Sequence, residues 1–220
     1  MKKILFLFSL PLLLCMSKPE KKKVLFFGDS LTEMGARPGG YITRIDSLAR
    51  TDGRSGDFEF IGAGIGGNKV YDLYLRMDED VLSKNPDIVV VYIGINDIWH
   101  KASFGTGTDV DRFIKFYNAI LGKLKDRNIR AILCTPSLIG ERYDNSNEQD
   151  GDLNYYSQLV RDIAARNNCP LVDLRSIMQE YLKKNNRENK DRNILTTDRV
   201  HFNAAGNELV AESIWKILKG

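Results

Sequence analysis

The sequence predicts an α/β fold: a three-layer α/β/α sandwich with helices on both faces of a parallel five-stranded sheet. Two observations lead to this prediction. Short apolar runs rich in β-branched residues alternate with longer stretches of helical periodicity, the pattern of repeated strand–helix units. The strongest run, IVVVYI at Ile88–Ile93, is apolar on both faces, as expected for a strand covered on both sides.

Five strands are predicted in chain order, and residues that interrupt regular structure end several of them. The first strand ends at Gly28, and Pro136 closes the fourth. The predicted strands are Val24–Phe27, Phe58–Ile61, Ile88–Ile93, Arg130–Thr135 and Leu171–Leu174.

The helices follow from apolar residues that recur on one face. The clearest has a single buried stripe formed by Val110, Phe113, Ile114, Tyr117, Ile120, Leu121 and Leu124. Further helices are predicted over residues 41–50, 69–83, 153–166, 176–184 and 204–218, the last capped by Asn203. The stretches 140–152 and 185–192 are too polar for a core, so we expect surface loops there.

The N-terminus predicts export. Lys2 and Lys3 precede an apolar run, Ile4–Met16, that is shorter than the ~20 residues needed to span a bilayer. We expect a signal peptide at residues 1–17, a polar leader at 18–23 and one domain at 24–220. Cleavage after Ser17 is one alternative. The other is lipidation of Cys15 as a membrane tether, because residues 12–15 resemble a lipobox, although Leu14 stands where a small residue is expected. Both alternatives place the protein in a bacterial periplasm, in the cell envelope or outside the cell.

Charge and cysteine content exclude several kinds of partner. The formal net charge of +3 over 220 residues is too small to indicate nucleic acid. Cys134 and Cys169 fall at opposite ends of neighbouring predicted strands, farther apart than the ~7 Å that a disulfide bridges between Cα atoms, so we expect free, largely buried thiols. No cysteine or histidine spacing indicates a metal site, and none is expected.

Three strand ends or helix starts carry residues suited to catalysis. Ser30 lies in a Gly-Asp-Ser-Leu segment after the first strand, and Asn96 in a Gly-Ile-Asn-Asp segment after the third, at the sheet edge where open α/β folds bind ligands. Asp198 lies three residues before His201, ahead of the last helix. A serine needs a base to remove its proton, and a carboxylate can orient that base. Each segment alone is more typical of a turn or a helix cap.

Two further motifs have a less specific meaning. Gly62–Gly67 matches the dinucleotide fingerprint G-x-G-x-x-G. It follows the second strand instead of the first, and the acidic residues at the expected distance, Asp78–Asp80, fall within a predicted helix, so we expect no nucleotide cofactor. His100 follows Trp99 and is interpreted as a loop histidine beside a packing tryptophan, with a role as an alternative base left open.

Taken in order, the three catalytic segments and the glycine-rich turn at Gly62–Gly67 resemble the SGNH/GDSL family of serine hydrolases. The resemblance implies a flavodoxin-like fold and no cofactor. It also implies that Ser30 is the nucleophile, that His201 is the general base and that Asp198 orients His201. The oxyanion hole would consist of the backbone N–H groups of Ser30 and Gly67 and the side-chain amide of Asn96. Two further members of the segments, Asp29 and Asp97, are expected to hold their turns by hydrogen bonds.

The resemblance implies an esterase. Because the chain is compact and has no obvious apolar lid, we expect short acyl or acetyl esters of a sugar or small alcohol as substrates. Two alternatives remain open at this point. One is a lysophospholipase or thioesterase of the same family, and the other is a module that binds acylated glycans without catalysis.

Overall fold

The computed structural model describes residues 20–220, and the predicted signal peptide with Cys15 lies outside them. The chain forms a parallel five-stranded sheet in the order β2-β1-β3-β4-β5, which confirms the predicted fold class. The strands are β1 (Lys22–Gly28), β2 (Phe58–Gly64), β3 (Ile88–Tyr92), β4 (Arg130–Cys134) and β5 (Leu171–Val172). β1 begins inside the predicted polar leader, because the backbone N–H of Lys22 donates to the carbonyl of Asp57, and this pairing needs no apolar side chain.

Eight α-helices accompany the sheet in residues 20–220: α1 (Ser30–Gly35), α2 (Tyr41–Thr51), α3 (Val70–Asp80), α4 (Ile95–Phe104), α5 (Val110–Asp126), α6 (Asp150–Arg166), α7 (Leu174–Asn185) and α8 (Ala204–Lys219). α2 packs against α8, and α3 packs against α5. Right-handed crossovers between parallel strands place these two pairs on opposite faces of the sheet. The sheet is therefore covered on both sides, and β1 and β3 have completely buried side chains at their centres.

Two helices were not predicted. α1 is six residues long, too short for its periodicity to be read from the sequence. α4 extends through His100 and Phe104, where a loop was expected, and it begins after Gly94, whose φ of 125° few other residues adopt. β5 is shorter than predicted, because Asp173 caps α7 by accepting a hydrogen bond from the backbone N–H of Ser176.

The prediction that residues 140–152 and 185–192 are only surface loops was wrong in part. Within them, Glu141, Asn147 and Asn186 are buried, and Asp150 is buried where it begins α6. Their polar groups are tolerated in the interior because they are hydrogen bonded. Asn186, for example, donates from its side chain to the carbonyls of Glu141 and Lys190.

The cysteine prediction was confirmed. Cys134 is buried at the end of β4, Cys169 is partly buried before β5, and both are free thiols. Burial raises the pKa of each thiol above its usual range, which disfavours the reactive thiolate. Over residues 20–220, the chain has no helix that combines the length and apolar character needed to cross a membrane.

Candidate active site

The register of the sheet brings three predicted segments to one edge. Gly28 at the end of β1 pairs with Gly64 of β2 on one side and with Tyr92 of β3 on the other. Because the carboxyl ends of these parallel strands are level, the turns that follow them are neighbours. Ser30 follows the first strand, Gly67 the second and Asn96 the third.

Ser30 is held at the start of α1 by a tight turn. The side chain of Asp29 caps the helix by accepting a hydrogen bond from the backbone N–H of Leu31 at 3.0 Å. A Cβ atom at Gly28 would lie only 2.3 Å from the hydroxyl of Thr32 and 2.4 Å from the carbonyl oxygen of Tyr92. No larger residue fits there, so the turn that presents Ser30 requires glycine.

Ser30, His201 and Asp198 form a continuous line of hydrogen bonds. The hydroxyl Oγ of Ser30 lies 3.0 Å from Nε2 of His201, and Nδ1 of His201 lies 2.7 Å from Oδ2 of Asp198. The other oxygen of Asp198 accepts the backbone N–H groups of Val200 and His201. Partial burial raises the pKa of Asp198, but these hydrogen bonds outweigh burial and hold the pKa below its usual value.

Gly67 and Asn96, two residues predicted for the oxyanion hole, each have a well-defined local geometry. Gly67 has a φ of 78°, a left-handed conformation that favours glycine. The preceding residue, Gly66, lies close to Ser30, because a Cβ atom added at Gly66 would be 3.9 Å from Cβ of Ser30. Asn96 is 2% exposed, and its side-chain amide donates to the carbonyl of Asn68 at 3.1 Å. This hydrogen bond orients the amide, whose NH₂ group carries a second hydrogen that can be donated to a ligand.

The glycines that match a dinucleotide fingerprint have a packing role. A Cβ atom at Gly64 would lie 2.1 Å from the backbone nitrogen of Glu33, so the end of β2 can approach α1 only without a side chain. The backbone N–H of Gly66 donates to the carboxylate of Glu33 at 2.8 Å. Close packing between β2 and α1 therefore accounts for Gly64 without a nucleotide.

His100 lies on α4 and not in a loop, so that part of its interpretation was wrong. The His100 ring packs edge-on against Phe104, with 5.0 Å between centroids. Cε1 of the same ring would lie 3.8 Å from a Cβ atom added at Gly67. Burial, followed by the positive charge of Lys69, lowers the pKa of His100. Among residues 20–220, no hydrogen bond joins His100 to Ser30, whereas His201 makes one.

Comparison with known proteins decides the family. A family model described as "GDSL-like Lipase/Acylhydrolase family" matches residues 26–209.

The chain belongs to this family. As a GDSL-like acylhydrolase, it is a carboxylic ester hydrolase. An acetylxylan esterase of Geobacillus stearothermophilus is 31% identical over 210 residues, which cover 87% of this chain and 91% of that protein.

Two further relatives extend the comparison. The acetyl xylan esterase AlAXEase, known from a crystal structure, is 59% identical in sequence and superposes with a TM-score of 0.88. The match covers 89% of this chain and 99% of the AlAXEase chain. An uncharacterized lipoprotein of Bacillus subtilis (strain 168), YqeF, is 28% identical over 134 residues, 54% of this chain and 55% of that protein. The acylhydrolase fold and the broad activity class therefore rest on the two acetylxylan esterases, whose alignments cover most of both chains.

Sequence reasoning missed a buried carboxylate that supports the Asp198–His201 turn of this acylhydrolase. Glu141 is 0% exposed and accepts the backbone N–H groups of Ile194, Leu195 and Thr196 together with the Thr196 hydroxyl. The Thr196 hydroxyl oxygen in turn accepts the backbone N–H of Arg199 at 3.2 Å. Nothing in the sequence could reveal this role, because three of the four donors are backbone groups more than fifty residues away.

Two other buried carboxyls belong to the segments that carry Ser30 and Asn96. Burial raises the pKa of Asp29 to about 7, against a hydrogen bond from the N–H of Leu31 that lowers it, and the nearby charge of Asp97 raises it further. Burial also raises the pKa of Asp97 to about 6, although both its oxygens accept the N–H of Val70 at the start of α3. The hydrogen bond of Asp29 agrees with the expectation that it holds its own turn, whereas Asp97 joins its segment to the start of α3.

We expect Glu141→Ala to destabilise the acylhydrolase by about 3 kcal/mol or more. The substitution leaves several buried donors without an acceptor, and each such donor costs about 1–3 kcal/mol of stability. Urea denaturation measures the difference. Glu148→Ala, an exposed carboxylate in the same stretch, is the matched control and should change stability by less than about 0.5 kcal/mol. Equal unfolding midpoints for the two variants would contradict the assigned role.

We expect the stability difference between Asp29→Asn and the unmodified protein to depend on pH. The pKa of Asp29 is raised from 3.8 to about 7, so the folded protein binds this proton more tightly than the unfolded chain does. The favourable contribution of Asp29 to the free energy of unfolding is therefore complete below about pH 4 and is lost as pH rises through about 7. The variant should therefore gain up to about 4 kcal/mol relative to the unmodified protein between pH 4 and pH 7.5. Denaturant titrations at several pH values measure this difference, and a constant value across the range would be inconsistent with it.

Proposed function

We propose that this carboxylic ester hydrolase is an exported serine esterase that removes short acyl groups, above all acetyl, from a sugar or small alcohol. Ser30 is the nucleophile, His201 the general base and Asp198 the residue that orients His201. The observation that carries the proposal is the line of hydrogen bonds, 3.0 Å from Ser30 to His201 and 2.7 Å from His201 to Asp198. The relatives called acetylxylan esterases support an acetyl ester as substrate.

The first half of the reaction transfers the acyl group to Ser30. Nε2 of His201 accepts the proton of the Ser30 hydroxyl as Oγ attacks the carbonyl carbon of the ester. The imidazolium that forms is stabilised by Asp198, which accepts Nδ1–H. Two backbone N–H groups bind the other oxygen of Asp198, so the carboxylate cannot rotate away from the ring.

The carbonyl oxygen becomes negatively charged during this attack and needs fixed donors. The backbone N–H groups of Ser30 and Gly67 and the side-chain amide of Asn96 are the groups we assign to it. The hydrogen bond from Asn96 to the carbonyl of Asn68 supports this assignment, because an oriented donor need not reorganise when the charge develops.

The second half releases the products. As the tetrahedral intermediate collapses, the bond to the alcohol oxygen breaks, and His201 gives its proton to that oxygen. Water then attacks the acyl-Ser30 ester while His201 accepts its proton. A second collapse releases the carboxylic acid and returns the proton to Oγ of Ser30.

Export is part of the proposal and depends on the N-terminal sequence. Two lysines precede an apolar run from Ile4 to Met16, the arrangement typical of a signal peptide. The relative named a lipoprotein supports the alternative in which Cys15 is lipidated and tethers the enzyme to a membrane.

We expect Ser30→Ala to abolish turnover of p-nitrophenyl acetate. Asn96→Ala should lower kcat about 10²–10³-fold with a small change in KM, because one oxyanion donor is lost. Steady-state kinetics measure both effects. Retention of most of the activity by Ser30→Ala would refute the assignment of the nucleophile.

The two histidines provide a matched pair for the general base. His201→Ala should reduce kcat as severely as Ser30→Ala, because Ser30 loses its proton acceptor. His100→Ala should retain kcat within about tenfold of the unmodified enzyme, because no hydrogen bond joins His100 to Ser30. The reverse order of activities would make His100 the base.

We expect kcat/KM to fall, or stay level, across p-nitrophenyl acetate, butyrate and octanoate. The relatives named acetylxylan esterases favour a small acyl group, so added methylenes should contribute little to binding. An apolar groove would instead add about 0.8 kcal/mol of binding per CH₂. A steady rise toward octanoate would indicate the lysophospholipase alternative.

A further inference from the structure

A cleft outside the reaction centre has no role in the mechanism above. It has a volume of about 330 Å³, and we call it the Trp99 cleft. Its lining includes Trp99, Ile139, Glu148, Gln149, Arg199 and Val200. The volume lies within the ~300–1,000 Å³ range of small-molecule sites.

The Trp99 cleft borders His201 and Asp198, the residues assigned to proton transfer in the proposed mechanism. Asp198, which binds His201, also lines the cleft. The indole ring of Trp99 stands edge-on to the His201 ring, with 6.5 Å between centroids. During ester cleavage the leaving oxygen must come within hydrogen-bond reach of His201. A group attached to that oxygen can therefore extend into the cleft beside the histidine.

The lining of the cleft combines an apolar floor with a polar rim. Ile139 and Val200 are buried apolar residues, and Trp99 adds an aromatic surface. Glu148 supplies hydrogen-bond acceptors and Arg199 supplies donors. A sugar ring has the matching chemistry, because its C–H groups can pack on apolar surface while its hydroxyls bind charged groups. A long acyl chain would desolvate the same charges without replacing their hydrogen bonds.

Arg199 has a strained backbone and a guanidinium without a close hydrogen-bond partner among residues 20–220. Its φ is 85°, a conformation that costs a non-glycine residue free energy and that often occurs at functional sites. Its side-chain Nε is buried and has no hydrogen-bond partner in residues 20–220, since the nearest carboxylate oxygen, of Asp191, is 3.8 Å away. The Arg199 side chain as a whole is 41% exposed and lines the cleft, so its terminal guanidinium N–H groups can donate to a ligand hydroxyl.

We propose that the Trp99 cleft is the subsite for the sugar ring of the leaving alcohol. Trp99 packs against the ring, and Arg199 and Glu148 bind its hydroxyls. This inference rests on the proposed function, because it takes Ser30 as the nucleophile and a sugar ester as the substrate.

A second cleft allows a matched comparison. It is lined by Leu31, Met34, Arg37 and Phe202 among others, has a volume of about 360 Å³, and is called the Met34 cleft below. It also lies next to Ser30 and His201 in the chain. Arg37 lines it as Arg199 lines the Trp99 cleft, but the Arg37 side chain is paired with Glu33 at 2.7 Å.

The test is Arg199→Asn against Arg37→Asn. Asparagine tolerates positive φ, so the first substitution removes the guanidinium without adding backbone strain. The measured quantity is kcat/KM for acetylated xylobiose divided by kcat/KM for ethyl acetate, which has no sugar ring. Arg199→Asn should lower this ratio about 10- to 100-fold, mainly through KM, as expected for loss of a charged hydrogen bond. A fall with Arg37→Asn and none with Arg199→Asn would place the sugar in the Met34 cleft and overturn the proposal.

A binding measurement separates this inference from the proposed function. The chain contains two tryptophans, so Trp215→Phe leaves Trp99 as the single tryptophan, whose emission can be excited selectively over that of tyrosine. Titration of that variant with xylobiose should change its fluorescence, and Arg199→Asn in the same background should weaken the apparent affinity. These fluorescence changes would support the subsite whether or not the enzyme hydrolyses either ester. Failure to hydrolyse both esters would refute only the proposed function. No fluorescence change up to high millimolar xylobiose would overturn the subsite.

Discussion

The hydrogen bond between the Ser30 hydroxyl and His201 joins two turns that are 171 residues apart in the chain. A bond of 3.0 Å forms only if both turns are held closely in position, because hydrogen bonds weaken steeply with distance and angle. The sheet holds the first turn through the register of β1 with β2 and β3, and through glycine at position 28. Buried hydrogen bonds to Glu141 hold the second turn, which belongs to no strand or long helix.

Buried carboxyl groups support the site at a cost in stability. Glu141 offsets its burial by accepting four hydrogen bonds. Asp29 is less well compensated, since it is 1% exposed and one of its oxygens has no partner within residues 20–220. Its raised pKa reflects that cost. The same carboxyl accepts the capping bond from Leu31, so this cost arises at the turn that presents Ser30.

The sequence predicted what depends on local pattern. The β-branched run of β3 and the apolar stripe of α5 were recognisable because burial repeats along them at a fixed period. Ser30, Asn96 and the Asp198–His201 pair could be predicted because they follow strands or precede a helix in a recognisable order. Glu141 could not, because its partners are backbone groups of a distant turn. The buried part of residues 140–152 was missed for the same reason, since polarity alone predicts exposure.

The central claim is that Ser30 is an activated nucleophile, and covalent labelling tests it most directly. A fluorophosphonate reacts with a serine hydroxyl only when a base removes its proton efficiently. After incubation with the probe and proteolysis, mass spectrometry should find the modification on the peptide that contains Ser30, and His201→Ala should slow labelling severely. A protein that stays unlabelled, or that is labelled at another serine at an unchanged rate in His201→Ala, would contradict the account.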